Sequence, residues 1–157
     1  MASTPVPKSI IPTVTSNLTL VDMDPIEIAR QITLIEFEVF KAISPTQCLN
    51  QAWIKQNKQD IAPDVLKMIR FSNDISAWVY TEILKRDTPK DRADAIKIFI
   101  RIAQHLFDIR NFNGVFEILA GFSSSAVDRL KKTWEVRKRG AARCLYVRKS
   151  REITKKC

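Results

Sequence analysis

Few side chains of this 157-residue sequence are of types that do covalent chemistry, and none is spaced for it. His105 is the only histidine and falls inside a helical apolar pattern. A lone histidine there is better suited to packing or to facing solvent than to proton transfer. Cys48, Cys144 and Cys157 are far apart and form no C-x-x-C pair, so the clustered soft ligands of a structural zinc site are missing. The strings "NFNG" (111–114) and "RGAA" (139–142) lack the G-x-x-x-x-G-K-[ST] spacing that cradles phosphates. Carboxylates are scattered along helix faces, and no pair is set for acid–base work. No catalytic residue, cofactor or metal is expected, and the chain is not expected to make or break bonds.

What stands out is a stretch suited to binding. In "NFNGVFEILAGFSSSAVDRLKKTWE" (111–135), two amides and a glycine open a short apolar helix and three serines close it. Short amides cap exposed helix N–H groups, so Asn111 and Asn113 are expected to hold the helix start. Gly114 is expected to permit close packing. Ser123–Ser125 offer hydroxyls, though a run of serines is also a plain N-cap cluster, the simpler reading for Ser124.

The elements that must position this stretch are helical. "DPIEIARQITLIEFEVFKAI" offers Asp24 as cap and Pro25 at the first helical position. Ile28, Ala29, Ile32, Ile35, Val39 and Phe40 then recur on one face. Ser44 and Pro45 open a second, shorter helix. The sequence from Pro63 places Val65, Ile69, Ser72, Ile75, Val79 and Ile83 on one side, with Met68 and Trp78 beside them. A further helix beginning at Asp87 presents Ile96, Phe99, Ala103, Leu106 and Phe107, with Lys90, Asp91, Arg92, Asp94 and Lys97 toward water. Trp78 and Trp134 read as core anchors. Strand alternation and internal repeats are absent, so the fold expected is all-α, an irregular bundle of five or six helices over residues 19–135.

Composition separates this body from its ends. Length and an apolar content of 45% suit one domain with a real core. The net charge of +9 belongs to the C-terminus: residues 136–157 carry nine Lys/Arg against Glu152 alone. The basic charge therefore does not describe the fold. That tail reads as a solvated extension, as a contact for acidic lipid headgroups, or as a non-specific nucleic-acid contact. Tyr146 is its only aromatic, so single-strand stacking and specific nucleic-acid recognition are not expected. Residues 1–18, rich in Ser, Thr and Pro, read as a flexible lead-in. A secretory leader is not expected, since the N-terminus lacks a basic segment followed by a long apolar run. The odd cysteine count suits a reducing, cytoplasmic setting.

The strings "DPIEIARQITLIEFEVFKAI", "LNQAW", "APDVLKMIRFSNDISAWVYTEIL" and "RADAIKIFIRIAQHLFDIRNFNGVFEILAGFSSSAVDRLKKTWE" occur in an ordered set. Together they resemble the N-terminal half of the catalytic domain of Ras-type guanine-nucleotide exchange factors, the Son-of-sevenless-like family. The resemblance runs from about Leu20 to Glu135 and implies an all-α domain that regulates a small GTPase of the Ras, Rap or Ral type. It implies an apolar pocket for the second switch segment of that GTPase, formed here by Ile69 and Phe116 with Arg70 beside them. Phe122, Ser123 and Ser125 would join from the following loop.

Two positions depart from the family pattern. Relatives usually carry Asn where Ser123 stands, and Leu or Met where Phe116 stands, so the choice of GTPase does not carry over. After Glu135 the family continues with a P-C-[IV]-P-[FY]-[LF]-G segment and a helical hairpin that opens the first switch, and residues 136–157 resemble neither. A break of this kind is what a frameshift, a retained intron or an alternative exon leaves. The resemblance thus implies an exchange factor, or a fragment whose exchange activity is lost. The alternative is a helical protein that binds or sequesters a GTPase without exchange.

Overall fold

The computed structural model describes residues 19–138, which are helices and connecting turns with no strand among them. The seven α-helices are α1 (Pro25–Lys41), α2 (Lys58–Ile61), α3 (Pro63–Leu84), α4 (Pro89–Asp108), α5 (Phe112–Ser123), α6 (Ser125–Asp128) and α7 (Lys131–Lys138). The readings of residues 1–18 and of the basic tail fall outside the described residues, except that Val136–Lys138 continue α7.

Helix starts follow local chemistry where a local partner exists. The Asp24 carboxylate accepts from the Ile26 N–H, with Pro25 in the first helical position. Helix α4 begins two residues later than expected: the Thr88 hydroxyl, not Asp87, takes the Asp91 N–H at 3.1 Å. At α3 the preceding Ala62 has no side chain to offer, and the cap comes from afar. Buried Gln47 accepts from the Asp64 and Val65 N–H groups at 2.9 and 3.3 Å and donates to the Asp64 carboxylate at 2.7 Å. The second helix expected from Ser44 is instead a 3₁₀ segment, Pro45–Ile54. It is broken at Leu49–Gln51, where Asn50 and Gln51 both take positive φ.

The core gathers around α4. Phe99, Ile96, Ile102 and Leu106 are fully enclosed, together with Val79 and Ile83 of α3 and Ile118 of α5. Phe99 sits edge-on to Trp78 and Phe122, with centroids 4.9 and 6.5 Å away. Trp134 of α7 packs against Phe122 and donates its indole N–H to the Val127 carbonyl at 2.9 Å. Both tryptophans are thus core anchors. Arg92, expected toward water, is half-buried and donates to the Arg86 carbonyl at 2.8 Å.

Helix α1 corrects one expectation. Its buried stripe is Ala29, Ile32, Glu36 and Val39, while Ile35 and Phe40 stand 50% and 63% exposed. The helix is apolar around more of its circumference than it buries. The 3–4–3 spacing of the stripe selects a glutamate over two larger apolar neighbours.

The α4–α5 junction holds a strained residue. Arg110 takes φ 66. Its N–H donates to Phe107 O at 3.0 Å, and the next N–H, of Asn111, donates to Leu106 O at 2.8 Å. This is a Schellman closure with a residue bearing a Cβ in the place glycine usually fills. Arg110→Gly is expected to stabilise the domain by about 1 kcal/mol. A higher urea midpoint at unchanged m-value would show it.

Candidate functional site

Helices α3 and α5 are the scaffold of the site, and they run in the same direction. Three contacts in register show this. The Asn113 amide lies 3.4 Å from the Ser72 hydroxyl, and the Ser76 hydroxyl donates to the Glu117 carbonyl at 3.0 Å. Further along, Gly121 faces Val79 so closely that an added Cβ would lie 2.6 Å from Val79 Cβ.

Around the first of these contacts, Ile69 and Phe116 stay exposed, as does Phe112 beside Asn113. Ile69, three residues before Ser72, is 41% exposed, and Phe116, three residues after Asn113, is 42% exposed. Arg70 is exposed beside Ile69 and pairs with no acid among the described residues. Ser123 lies two turns beyond Phe116 on the same face of α5, and it and Ser125 are exposed at the turn into α6. The structure therefore brings Ile69, Arg70 and Phe116 onto one helix pair, with the serines at its far end. Phe122 is elsewhere. It is 3% exposed and lies between Phe99 and Trp134, among the core residues.

Beneath this surface lies a polar cluster that ties α1 to α5. The Asn111 side chain uses every polar atom. Its Oδ1 caps α5 by accepting from the Gly114 N–H at 2.9 Å, and its Nδ2 donates to Glu36 Oε2 at 2.6 Å and Thr33 Oγ1 at 3.0 Å. Asn113 Nδ2 donates to Glu36 Oε1 and to Glu117 Oε1, the latter at 2.9 Å. Glu36 and Glu117 are 5% and 3% exposed. Asn111 caps the helix start as expected, whereas Asn113 bonds only side chains, those of Glu36, Glu117 and Ser72. Their carboxylate partner Glu36 is a residue the sequence reading missed, although an acid in the buried register of an apolar stripe is a signal of this kind. Gly114 does allow a close approach, 3.1 Å from its notional Cβ to the Leu106 side chain, but the tighter contact belongs to Gly121.

Burial pushes the Glu117 carboxyl above its ordinary value of 4.5. The Ser72 hydroxyl and Asn113 amide act the other way, and the charge of Glu36 adds to the rise. Its Oε2 is buried without a hydrogen-bond partner. An acid raised in this way stabilises the fold fully below its unfolded value, and that contribution is lost as pH climbs through the raised value. Glu117→Gln is therefore expected to keep its melting temperature from pH 4.5 upward, while the wild type falls below it. Paired thermal melts across that range read the difference.

His105 is half-buried on α4, Cys48 is exposed and alone, and no cluster of three or more metal-ligating side chains exists among the described residues. Nor is any described helix long and apolar enough to cross a membrane.

The chain's family follows from comparison. The RasGEF domain model matches residues 27–154, and the chain belongs to that family. It is 46% identical over 120 residues to Ras guanine nucleotide exchange factor E of Dictyostelium discoideum, covering 76% of this chain and 12% of that protein. It is 48% identical over 133 residues to exchange factor P of the same organism, covering 84% and 9%. To exchange factor A it is 46% identical over 130 residues, covering 83% and 21%. The chain thus spans between about a tenth and a fifth of the length of these relatives.

Proposed function

We propose that this chain binds a Ras-family small GTPase through Ile69, Arg70, Phe116, Ser123 and Ser125, as part of a guanine-nucleotide exchange factor. The observation that carries the reading is the exposure of Ile69 and Phe116 on two helices packed side by side. An apolar pair with an unpaired guanidinium suits a partner segment that offers aromatic or aliphatic anchors and negative charge. Membership of the RasGEF family, and relatives named as Ras guanine nucleotide exchange factors, direct that partner to a GTPase.

Binding and exchange are separable. Nucleotide release is promoted only if the empty GTPase is gripped more tightly than the loaded one, because the coupling is reciprocal. Two measurements on the purified chain test both. One is affinity for nucleotide-free Ras-, Rap- and Ral-type GTPases, and the other is release of a fluorescent guanine nucleotide from the loaded forms. Binding to at least one empty form is expected, weakened roughly tenfold by Arg70→Glu. Accelerated release assigns exchange, and binding without release assigns sequestration. A cooperatively melting chain that ignores every empty GTPase overturns the proposal.

A further inference from the structure

Helix α5 turns apolar side chains both inward and outward. Its buried side carries Val115, Ile118 and Phe122, as an interior face should. Before Ser123 its only polar side chains are Asn113 and Glu117, and these bond to each other, with Asn113 also reaching Glu36 of α1 and Ser72 of α3. Water is left to Phe112, Phe116 and Ala120, with Leu119 half-buried beside them. A helix that is apolar round its whole circumference belongs under cover on every side. The described residues leave this side open.

Phe112 belongs to this open face but not to the surface proposed above. It precedes Phe116 by four residues, so the two rings leave the helix only about 40° apart, and Ser123 falls between them in direction. Register places Phe112 along the axis as well. Ser72 stands level with Asn113, and Ser76 with Glu117, which sets Ile69 level with residue 110. Phe112 therefore lies between the levels of Ile69 and Phe116, about 3 Å beyond the first and about 6 Å short of the second. A segment that rests on both passes it. The Phe112 ring is also held in place. It meets Phe107 of α4 edge-on, with centroids 5.7 Å apart, while its neighbours Asn111 and Asn113 are tied to Glu36.

We propose that Phe112 is a third apolar anchor of the GTPase-binding surface, taking an aliphatic or aromatic side chain of the same GTPase segment that meets Ile69 and Phe116. The inference rests on the binding reading above and widens its surface by one residue. A ring already held by Phe107 loses little freedom when a partner covers it, which separates an anchor from a loose surface side chain. Three anchors spread over two helices also fix the angle of a bound segment, where two would leave it free to pivot.

The test uses the whole 157-residue chain with nucleotide-free Ras-, Rap- and Ral-type GTPases. Phe112→Ala is expected to weaken binding roughly tenfold, and Phe112→Leu, which keeps an apolar side chain, no more than about threefold. In a second arm, photoreactive benzoylphenylalanine replaces Phe112, Phe116 or Val21 in turn, the last being 58% exposed ahead of α1. Crosslinks to the GTPase are expected from the first two positions and not from the third. This arm does not depend on the folding of Phe112→Ala, and a merely structural phenylalanine would give no crosslink. Crosslinking from position 116 without 112 overturns the proposal and leaves the binding reading standing. So does a Phe112→Ala chain that melts cooperatively and binds within about twofold of wild type. Chain-to-chain crosslinks from position 112, with none to a GTPase, assign the face to self-association and overturn the proposal as well. A cooperatively melting wild-type chain that binds no empty GTPase overturns both the proposal and the binding reading.

Discussion

Gly121→Val is expected to cost the domain about 3 kcal/mol or more, and to lower the melting temperature by on the order of 10 °C. Even the first carbon of a side chain there would stand 2.6 and 2.7 Å from Val79 Cβ and Cγ1, and 2.9 Å from the Ser76 carbonyl oxygen. Two of those atoms lie on or next to the α3 backbone, so no rotamer change clears them. The helices must part, and parting breaks the Ser76–Glu117 hydrogen bond and opens the packing of Val79, Ile83 and Ile118. Since folded domains hold only about 5–15 kcal/mol in reserve, a loss of this size is a large fraction of the whole. Val79→Ala in the same chain should restore little, because the Val79 Cβ is itself the obstacle. Equilibrium unfolding decides the matter: a Gly121→Val chain within 1 kcal/mol of wild type would mean that the two helices do not approach so closely.

The second large effect is on recognition. Phe116→Ala and Ile69→Ala are each expected to weaken binding to the nucleotide-free GTPase by about 2 kcal/mol, roughly thirtyfold. Both side chains remain about two-fifths exposed, so truncation leaves no closed cavity, and the stability cost should stay near 1 kcal/mol. The same truncation at fully enclosed Phe99 should cost about 3–5 kcal/mol of stability. Measuring affinity and unfolding on the same variants separates the two roles. If Phe116→Ala melts like a core variant and binds as well as its folded fraction allows, Phe116 belongs to the interior and the recognition surface must be drawn without it.

How much of this was legible in the residues depended on where each partner lay. Asp24 caps α1 from two residues away and Asn111 caps α5 from three, so both starts can be read in the string. Gln47 caps α3 across 17 residues, and Glu36 meets the asparagines across 75 and 77, distances at which no local pattern speaks. Periodicity placed an apolar face on α1 but not its edges, because Ile35 and Phe40 continue the greasy circumference past the point where neighbours cover it. Family resemblance put Ile69, Arg70 and Phe116 together, and the fold does bring them onto one helix pair. It also nominated Phe122, which only tertiary packing reveals as a filler between Phe99 and Trp134. Gly121 looked like any small residue until the helix opposite it was known.

The shared direction of α3 and α5 has a consequence for how recognition arises. Two neighbours that point the same way need a return stroke between them, and α4 supplies it. Residues 69–70 and 112–116 therefore meet only after a loop of roughly forty residues has closed. The surface is a late product of assembly: a nascent chain has none of it before α5 has emerged and docked. If the proposed surface is the one used, a peptide excised from either helix is not expected to compete for the partner, and a protease cut within α4 is expected to weaken binding while leaving every proposed contact side chain chemically intact.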